Sequence, residues 1–559
     1  MASGTDVPGG GQQLHTEPNS VDASHTEGLT APIPTPPEPA TGVAASASLI
    51  AGRRRVVAGA LALTLLALLA SRASGMVRDA VIAYQFGASA TTDSFLSAFT
   101  LPDLISSLLL TGLVGVAVIP VLIRSQTSEG ATVWRTANAV LNLLIVASAV
   151  LALVGAVAAG PLVNALTPGL SGTHAAMAAE MARIMFPALV FFAAASLLTG
   201  ILNIGSRFVI PTLAGLFVNV AMIGAAVVFG RELGVSALAW GFLVGSVLQL
   251  TVLIPGASRL GYRYQLTFGL SDPNVRAVFR AMAPLLLVVA MQYGRLIVER
   301  WIGSILVPGT IALLNFSNRL YLFPPALIVA PISTVLYPMV ARGHVAGDEE
   351  RIRQTISTGI RLIVLSAVPA MLLLRYFAHP MVAVIYQRGA FDASSSAATG
   401  YLLGLFALGL VPVCINEFLT RTYFARQRAR FALLITGSSL AVTVAADVVL
   451  TRLIGYPGLA WGATAGAWWL LAIVVIDGRI WRQREIVLTA LRAVVAGLVM
   501  TALAVGVFDI LPISHTVLRL GVALLMGGGV YLLVLRLLSA QDARLLTGLA
   551  GDFLSRSRA

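Results

Sequence analysis

Long apolar stretches, separated by short polar connections, make up most of the chain from Val56 onward. Fourteen of them reach the roughly 20 residues that an α-helix needs to cross a bilayer. We therefore predict an all-α integral membrane protein with fourteen transmembrane helices, because helices satisfy their own backbone in lipid. The predicted spans are 56–75, 93–123, 133–158, 176–203, 208–230, 234–255, 280–303, 307–341, 354–376, 395–424, 430–453, 458–478, 486–509 and 516–538.

Residues 1–52 differ from the rest of the chain. The stretch from Thr30 to Thr41 is rich in proline, and the residues before it are mostly small, polar or acidic. Such a composition cannot bury a core, so we predict a disordered tail. It is too polar for a signal peptide. The triplet Arg53–Arg55 precedes the first span, which predicts that the tail stays in the cytoplasm.

The distribution of arginine supports this topology. All 37 basic residues are arginine, and most lie in connections that alternate along the chain. With a cytoplasmic N-terminus, the inner connections carry the larger share, as the positive-inside rule requires. Both termini are then cytoplasmic. Inner arginines include Arg124, Arg207, Arg259, Arg342, Arg426 and Arg482, and the outer ones are sparser: Arg78, Arg231, Arg388 and Arg452.

Composition excludes several classes of protein. The chain is 57% hydrophobic and 11% charged, whereas soluble domains carry about 25% charged residues. Its net charge of +13 could indicate nucleic-acid binding. The sequence has neither zinc-finger spacing nor basic helices interleaved with aromatics, so we predict no nucleic-acid partner. The single cysteine, Cys414, excludes an internal disulfide and a multi-cysteine metal site. The sequence contains no Walker loop, His-Glu-x-x-His or Ser-x-x-Lys set. We predict no enzyme, no metal site and no cofactor.

A weak internal echo indicates two halves. The segments Phe99–Arg124 and Tyr321–Arg342 each have a proline near the start, a second near the end, and an arginine four residues later. Transporters often consist of such repeats, with the substrate site between them. We predict two six-helix lobes around a central cavity, although chance resemblance between apolar helices is the alternative. The predicted domains are 53–270 (helices 1–6), 271–484 (helices 7–12), 485–540 (helices 13–14) and a cytoplasmic tail, 541–559.

Ionisable groups inside the spans are the candidate functional residues, since each costs about 2.5–3.5 kcal/mol at the centre of a bilayer. Arg72 ends the first apolar run, Asp93 opens the second span, and Arg319 lies in the eighth. Arg319 has no acidic residue within four positions, so it needs a partner from another helix or a ligand. These residues predict a central cavity lined mainly by arginine, which suits a diphosphate. Snorkelling or bridging between helices is the alternative.

Other charged groups have local explanations. Arg295 and Glu299 on the seventh span are spaced i,i+4 and can pair on one helix face, and Arg300 follows them. Glu417 on the tenth span has Arg421 four residues later. Asp447 on the eleventh has no local partner, so Glu417 and Asp447 are our candidates for ion coupling, with Asp447 the stronger.

The run from Ser71 to Arg124 resembles the first two helices of the MurJ (MviN) lipid II flippase family of the MOP exporter superfamily. The matching elements are a Ser-Arg, a Gly, an Arg-Asp, a Phe-Gly-Ala, a Thr-Asp, a Phe and a Leu-Pro. They are Ser71-Arg72, Gly75, Arg78-Asp79, Phe86-Gly87-Ala88, Thr92-Asp93, Phe95 and Leu101-Pro102. Further similar stretches are Ile201–Ile223, Asn318–Pro324, Ile385–Asp392 and Arg421–Gln427, so the resemblance covers about residues 55 to 540.

The resemblance implies that lipid II, the undecaprenyl-diphosphate precursor of peptidoglycan, is moved from the inner to the outer leaflet of the bacterial cell membrane by alternating access. It implies energy from the membrane potential or an ion gradient, and possible contacts with cell-wall synthesis proteins. The functional positions that it implies are Arg72, Arg78, Asp93 and Arg319. The last two helices would form a groove for the polyprenyl tail.

One departure leaves the substrate open. After the Leu-Pro, the family commonly has a pair of arginines and then a Glu-Gly, whereas this chain has Ser106-Ser107 and Thr111-Gly112. Arg295 and Arg300 are candidates to replace the missing charge. The alternatives are a flippase for another polyprenyl-diphosphate glycan and a membrane scaffold that does not transport.

Overall fold

The computed structural model describes residues 67, 69–109, 130–269, 272–426, 428–477, 484–513 and 515–548. All of these belong to one compact unit, Val56–Ala559, and the separate unit Met1–Arg55 lies outside the described residues, as does the predicted disorder of the tail. The described part of the chain is helical and contains no strand, as predicted.

Twenty helices follow one another along these ranges. The first, α1, covers 69–86 and the last, α20, covers 540–548. The others, α2 to α19 in order, are Ala90–Ser107, Gly130–Val157, Ala159–Leu166, Gly172–Met185, Ala188–Ile204, Val209–Phe229, Ser236–Ser258, Pro273–Ser304, Thr310–Tyr321, Phe323–Ala346, Glu349–Tyr376, Ala378–Tyr386, Ala393–Ala407, Leu410–Ala425, Ala429–Ile454, Pro457–Asp477, Arg484–Ile510 and Thr516–Leu538. Side-chain caps start three of them, where Ser89, Asp348 and Asp392 accept hydrogen bonds from backbone N–H groups of the first turn.

Within the described residues, nine helical stretches are long and apolar enough to cross a membrane, or eleven if each of two bent pairs crosses once. The bent pairs are α5–α6, at 41°, and α14–α15, at 53°. All eleven coincide with predicted spans. The predicted span 280–303 falls in α9, and the first two spans extend outside the described residues, so the count of fourteen stays a prediction.

One predicted boundary was wrong. The sequence analysis placed Arg78 and Asp79 in a polar connection, whereas α1 continues through both residues to 86. The error has a physical cause: both side chains pair inside the protein, so their charge does not require a position in water.

The helices pack in two groups along the chain. In the first, α2 lies against α5 and α6, α3 against α6, and α8 against α6 and α7. In the second, α11, α12 and α15 contact one another, α16 packs on α9 and α17, and α18 joins α19 to α12. The groups meet where α10 contacts α2 and where α9 contacts α3 and α4. The two-lobe domain boundaries stay a prediction.

Glycines bring α16 and α17 close together. Gly458, Gly462 and Gly466 recur every four residues on α17, and a Cβ at Gly462 or Gly466 would collide with the side chain of Asp447 or Thr443 on α16. Small residues at this spacing let membrane helices pack at short range. The glycine stripe therefore places the carboxylate of Asp447 directly against the backbone of α17.

The connection between the two groups lies along α3. Asn142 donates hydrogen bonds to the carbonyls of Gln265 and Thr267, at 3.2 and 2.9 Å, and Asn138 donates to that of Arg263 at 2.9 Å. The four residues from Asn138 to Asn142, about 6 Å along α3, match two residues of extended chain, about 6.6 Å. The side-chain amides thus satisfy the backbone of a segment that has no helix or sheet of its own.

Candidate functional site

An ion-paired cluster joins α1 to α10. The carboxylate of Asp79, with 2% of its side chain exposed, accepts hydrogen bonds from Arg78 Nε and Nη2 at 3.0 and 2.8 Å. Its other oxygen accepts one at 2.7 Å from Arg319 Nε, 240 residues away in sequence. Arg319 thus has the interhelical partner that the sequence analysis required. The partner is an acid of the same chain.

Arg319 also faces open space. Its side chain is 42% exposed, although Asp79 and Tyr386 beside it are buried. Nε is bonded to Asp79, while neither Nη atom makes a hydrogen bond to a described residue. The carboxylate of Asp79 therefore holds one edge of the guanidinium and leaves a two-pronged set of N–H donors available. Such a fork suits two oxygens of one phosphate.

Arg78 is held more firmly than Arg319. It is buried, its Nη1 donates to Asn219 Oδ1 on α7 at 3.2 Å, and its guanidinium lies 6.0 Å from the centre of the Phe99 ring. Asn219 in turn donates to Ser74 Oγ on α1 at 2.8 Å. These contacts tie α1 to α7 and use several donors of Arg78, which leaves Arg319 as the better-exposed cation of the cluster.

A second acid, Asp103 on α2, belongs to the same region. The charges of Arg319, Arg78 and Arg300 all act on its carboxylate. The neighbouring serines behave differently: Ser106 bonds back to the carbonyl of Pro102 in its own helix, while Ser107 lies within hydrogen-bonding reach of Tyr293 on α9. The site around Arg319 thus contains acids as well as arginines, and the expected lining mainly by arginine needs this correction.

The carboxylate of Asp93, a residue of α2, lies apart from this cluster and against the start of α10. Its two carboxylate oxygens accept hydrogen bonds from the backbone N–H groups of Gly309, at 2.6 Å, and Ala312, at 2.7 Å. Asp93 has 3% exposure. A helix begins with unpaired N–H donors, and here an acid from α2 satisfies two of them. In this structure Asp93 holds α2 to α10, and its oxygens are not directed at the space beside Arg319.

Close backbone contacts surround this capped helix start, in a region that we call the closed end (84–93, 304–312 and 387–392). Ala390 N donates to the carbonyl of Tyr84 at 2.8 Å. Gly309, with φ of 91°, lies against Ala88 O, and Gly389, with φ of 59°, lies against Tyr84 O. A Cβ at either glycine would collide with that carbonyl, and a positive φ favours glycine as well. The closed end is therefore sealed by backbone contacts between turns from both groups of helices.

The arginines of α9 point to different partners. Arg295 pairs with Glu299 at 3.2 Å, which confirms the predicted i,i+4 pair. Arg300, 4% exposed, donates to the carbonyl of Ile311 at 3.1 Å and to Asn315 Oδ1 at 3.3 Å on α10. Arg300 therefore packs α9 against α10, whereas Arg295 keeps 29% of its side chain exposed.

The remaining candidates are dispersed. The predicted pair Glu417–Arg421 forms at 2.6 Å and is well exposed. Asp447 is 1% exposed, and its Oδ1 has no hydrogen-bond partner among the described residues. Arg72 is exposed on α1. No group of three or more histidine, cysteine or acidic residues with a geometry suited to a metal ion occurs in the described part of the chain.

The sequence analysis missed Asp79 and Asp103 as members of this site. Both could have been found by the rule applied to the other candidates, since each is an acid within an apolar helix. Asp79 was assigned to a connection and Asp103 was not weighed. The structure brings together Arg78, Arg319 and these two acids, and separates them from Asp93, Glu417 and Arg72.

The comparisons with known proteins agree with this architecture. The family profile of the lipid II flippase MurJ matches residues 82–527. This chain belongs to the MurJ family. A curated relative named lipid II flippase MurJ, from Burkholderia cenocepacia, is 33% identical over 408 residues, which cover 71% of this chain and 79% of that protein.

Solved structures show the same fold. A structure titled lipid II flippase MurJ, inward closed conformation, has a TM-score of 0.72 at 20% identity and covers 85% of this chain and 98% of its own. A multidrug-resistance MATE transporter of the MOP superfamily, in an inward-facing conformation, has a TM-score of 0.60 at 15% identity, covering 76% and 98%. This MurJ-family protein is therefore a multi-pass membrane protein with a transporter fold, as predicted.

Proposed function

We propose that this MurJ-family protein is a flippase that moves lipid II from the inner to the outer leaflet of the bacterial cell membrane. The observation that carries the proposal is the Arg319 fork, which is held by Asp79 and remains 42% exposed. The family match and the curated relatives support lipid II as the substrate. Transport requires no covalent chemistry from the protein, in line with the prediction of a non-enzyme.

The geometry suggests how the diphosphate is held. Asp79 fixes the orientation of Arg319, so that its two Nη groups can bind two phosphate oxygens in parallel. Arg295, part-exposed on α9, adds a second cation. The charges of Arg319, Arg78 and Arg300 all act on Asp103, and in its ionised form this acid keeps binding weak enough for release on the other side of the membrane.

Sidedness follows from the arginine distribution. We propose that the closed end faces outward, that both termini are cytoplasmic, and that the arginine-rich connections near Arg342 and Arg426 face the cytoplasm. The structure then corresponds to a state sealed on the outside. Opening the outer side requires the backbone contacts at Gly309 and Gly389 to separate, together with the hydrogen bonds of Asp93. Asp93 is thus proposed as a residue that positions the closed end and not as a substrate ligand.

Ion coupling is proposed at α9 and α16. Asp447 is buried against α17 with one unpartnered oxygen, and the charges of Arg295 and of the buried Glu299, both on α9, act on it. A cation or proton between the two acids would relieve both desolvation and repulsion. Glu417 is a weaker candidate, since it is exposed and paired with Arg421.

A second substrate remains a candidate because of Ser106 and Ser107. These hydroxyls stand where the family commonly has arginines, and Ser106 is bonded within its own helix. A glycan with less negative charge near its diphosphate would suit such a cavity better than lipid II does. Cell-wall synthesis proteins are the proposed protein partners on grounds of family membership alone.

The test is Arg319→Ala in a host depleted of the native protein. We expect lipid II to accumulate in the inner leaflet, as in the depleted strain that carries no replacement gene, because the diphosphate can no longer bind the two Nη groups of Arg319. Arg319→Lys should restore transport in part, since lysine keeps the charge but not the two parallel donors. Accessibility of lipid II to an external enzyme measures the outer-leaflet fraction.

The matched control is Arg452→Ala, which removes an exposed arginine at the end of α16 and should leave transport unchanged. Normal outer-leaflet lipid II in the depleted strain would reject the function itself and favour another glycan. Unimpaired transport by a stably inserted Arg319→Ala protein would reject the proposed site.

A further inference from the structure

A pocket lies between α11 and α15, away from the Arg319 cluster. It has a volume of about 410 Å³ and is lined by Ser333, Thr334, Tyr337, Pro338 and Arg421. The two helices pack directly on each other. None of these five side chains contributes to the site described above.

The pocket and Arg319 lie on the same membrane-length part of the chain. α10 and α11, with Leu322 between them, form one stretch from Thr310 to Ala346. Tyr337 follows Arg319 by 18 residues, which is about 27 Å of helical rise, and Ser333 is one turn closer. A head group that moves along this stretch from the arginine-rich end toward Arg319 passes the pocket first.

Arg421 provides the charge. Its Nη2 donates to Glu417 Oε1 at 2.6 Å, and the two side chains are 44% and 39% exposed. Among the described contacts, Nη2 is the one donor of Arg421 in use. An exposed pair of this kind is weak, so an anion with two oxygens can displace the carboxylate.

Ser333 provides an unused hydrogen-bonding group. It is 4% exposed, it lines the pocket, and its Oγ has no partner among the described residues. Buried hydroxyls are rarely left unpaired, because desolvation without a partner is costly. Tyr337, 42% exposed, presents its ring beside this hydroxyl and Pro338 adds an apolar wall. A ligand with an anionic group next to a sugar or hydrocarbon would satisfy all of these features.

We infer that this pocket is an entry subsite, which binds the diphosphate of the lipid-linked substrate before it reaches Arg319. The inference rests on the proposed function. In the empty state Glu417 neutralises Arg421. On entry the diphosphate replaces Glu417 at the guanidinium and accepts a hydrogen bond from Ser333. Glu417 is then a competitor of the substrate for Arg421.

Two substitutions should have opposite effects on transport by the full-length protein in vesicles with lipid II. Arg421→Gln should raise the half-saturating lipid II concentration about tenfold, the value of one charge-assisted hydrogen bond, and leave the maximal rate near that of the unmodified protein. Glu417→Gln should lower the half-saturating concentration, because the competing carboxylate is gone. Arg428→Gln, at an exposed arginine before α16, is the control for net charge and should change neither.

If Arg421→Gln and Glu417→Gln impair transport equally, the two residues form a structural pair and the subsite is overturned. If neither substitution changes transport, the subsite is also overturned. Binding of inorganic pyrophosphate to the purified Arg319→Ala protein tests the pocket without transport. We expect pyrophosphate to bind, with an affinity that Arg421→Gln lowers and Glu417→Gln raises. An affinity that neither substitution changes would also overturn the subsite. Failure of the unmodified protein to move lipid II would count against the proposed function, whatever the pyrophosphate result.

Discussion

The carboxylate of Asp93 gives the clearest quantitative prediction, because both of its oxygens bond to buried backbone groups. Asp93→Ala would leave the N–H groups of Gly309 and Ala312 without these partners in the closed state. An unsatisfied buried donor costs about 1–3 kcal/mol. We take about 2–4 kcal/mol for the two, since water reaches the cavity that alanine leaves. We expect water to hydrate both groups once the closed end opens, so the loss falls on the closed state alone.

This penalty changes the ratio of closed to open protein. At 1.4 kcal/mol per factor of ten, about 2–4 kcal/mol reduces the ratio about 30- to 700-fold. For Asp93→Asn, the ratio of closed to open protein should lie between those of the unmodified protein and of Asp93→Ala. The amide oxygen can accept from one N–H, whereas the amide nitrogen accepts from neither.

A cysteine at the closed end measures the shift. Thr310, the first residue of α10, is 1% exposed, and Thr310→Cys can be placed in a Cys414→Ser background so that it is the single thiol. Its rate of reaction with a membrane-impermeant maleimide reports opening. Asp93→Ala should raise that rate by at least tenfold. Ser94→Ala is the control, since the Ser94 hydroxyl bonds within its own helix, and an unchanged rate in Asp93→Ala would refute the reasoning.

Two further predictions concern acids elsewhere in the protein. Asp447→Asn should leave membrane insertion intact but make transport in vesicles insensitive to an imposed cation or proton gradient, and transport that still responds would reject coupling at this residue. Asp542 on α20 accepts hydrogen bonds from Arg361 at 2.6 Å and Arg492 at 2.9 Å. Burial alone would raise the pKa of the Asp542 carboxyl, but the hydrogen bonds from the two arginines outweigh burial and lower that pKa. The stability that this shift contributes is present above the ordinary carboxyl pKa and is lost as the pH falls through the folded-state pKa. Asp542→Asn should therefore lower the melting temperature at neutral pH, by a difference that shrinks on acidification. A difference that stays constant with pH would contradict this.

Much of the helical layout could be predicted from sequence. Lipid demands continuous apolar helices, so spans such as 208–230 and 516–538 are visible in the residues alone. Pairs on one helix were equally accessible: Arg295–Glu299 and Glu417–Arg421 follow from i,i+4 spacing, and the structure contains both.

Contacts between distant segments were decided by the tertiary structure. The sequence showed that Arg319 needed a partner but not that Asp79 would be that partner, because 240 residues of chain separate them. It marked Asp93 as a charged group in a span without showing that a helix start from the other half of the chain would use both its oxygens. Local spacing determines what one helix presents on a face, whereas helix packing determines which face it meets. The protein's sequence therefore specified its local pairs and many of its spans, and packing decided that Arg319 is the more exposed arginine of the cluster around Asp79.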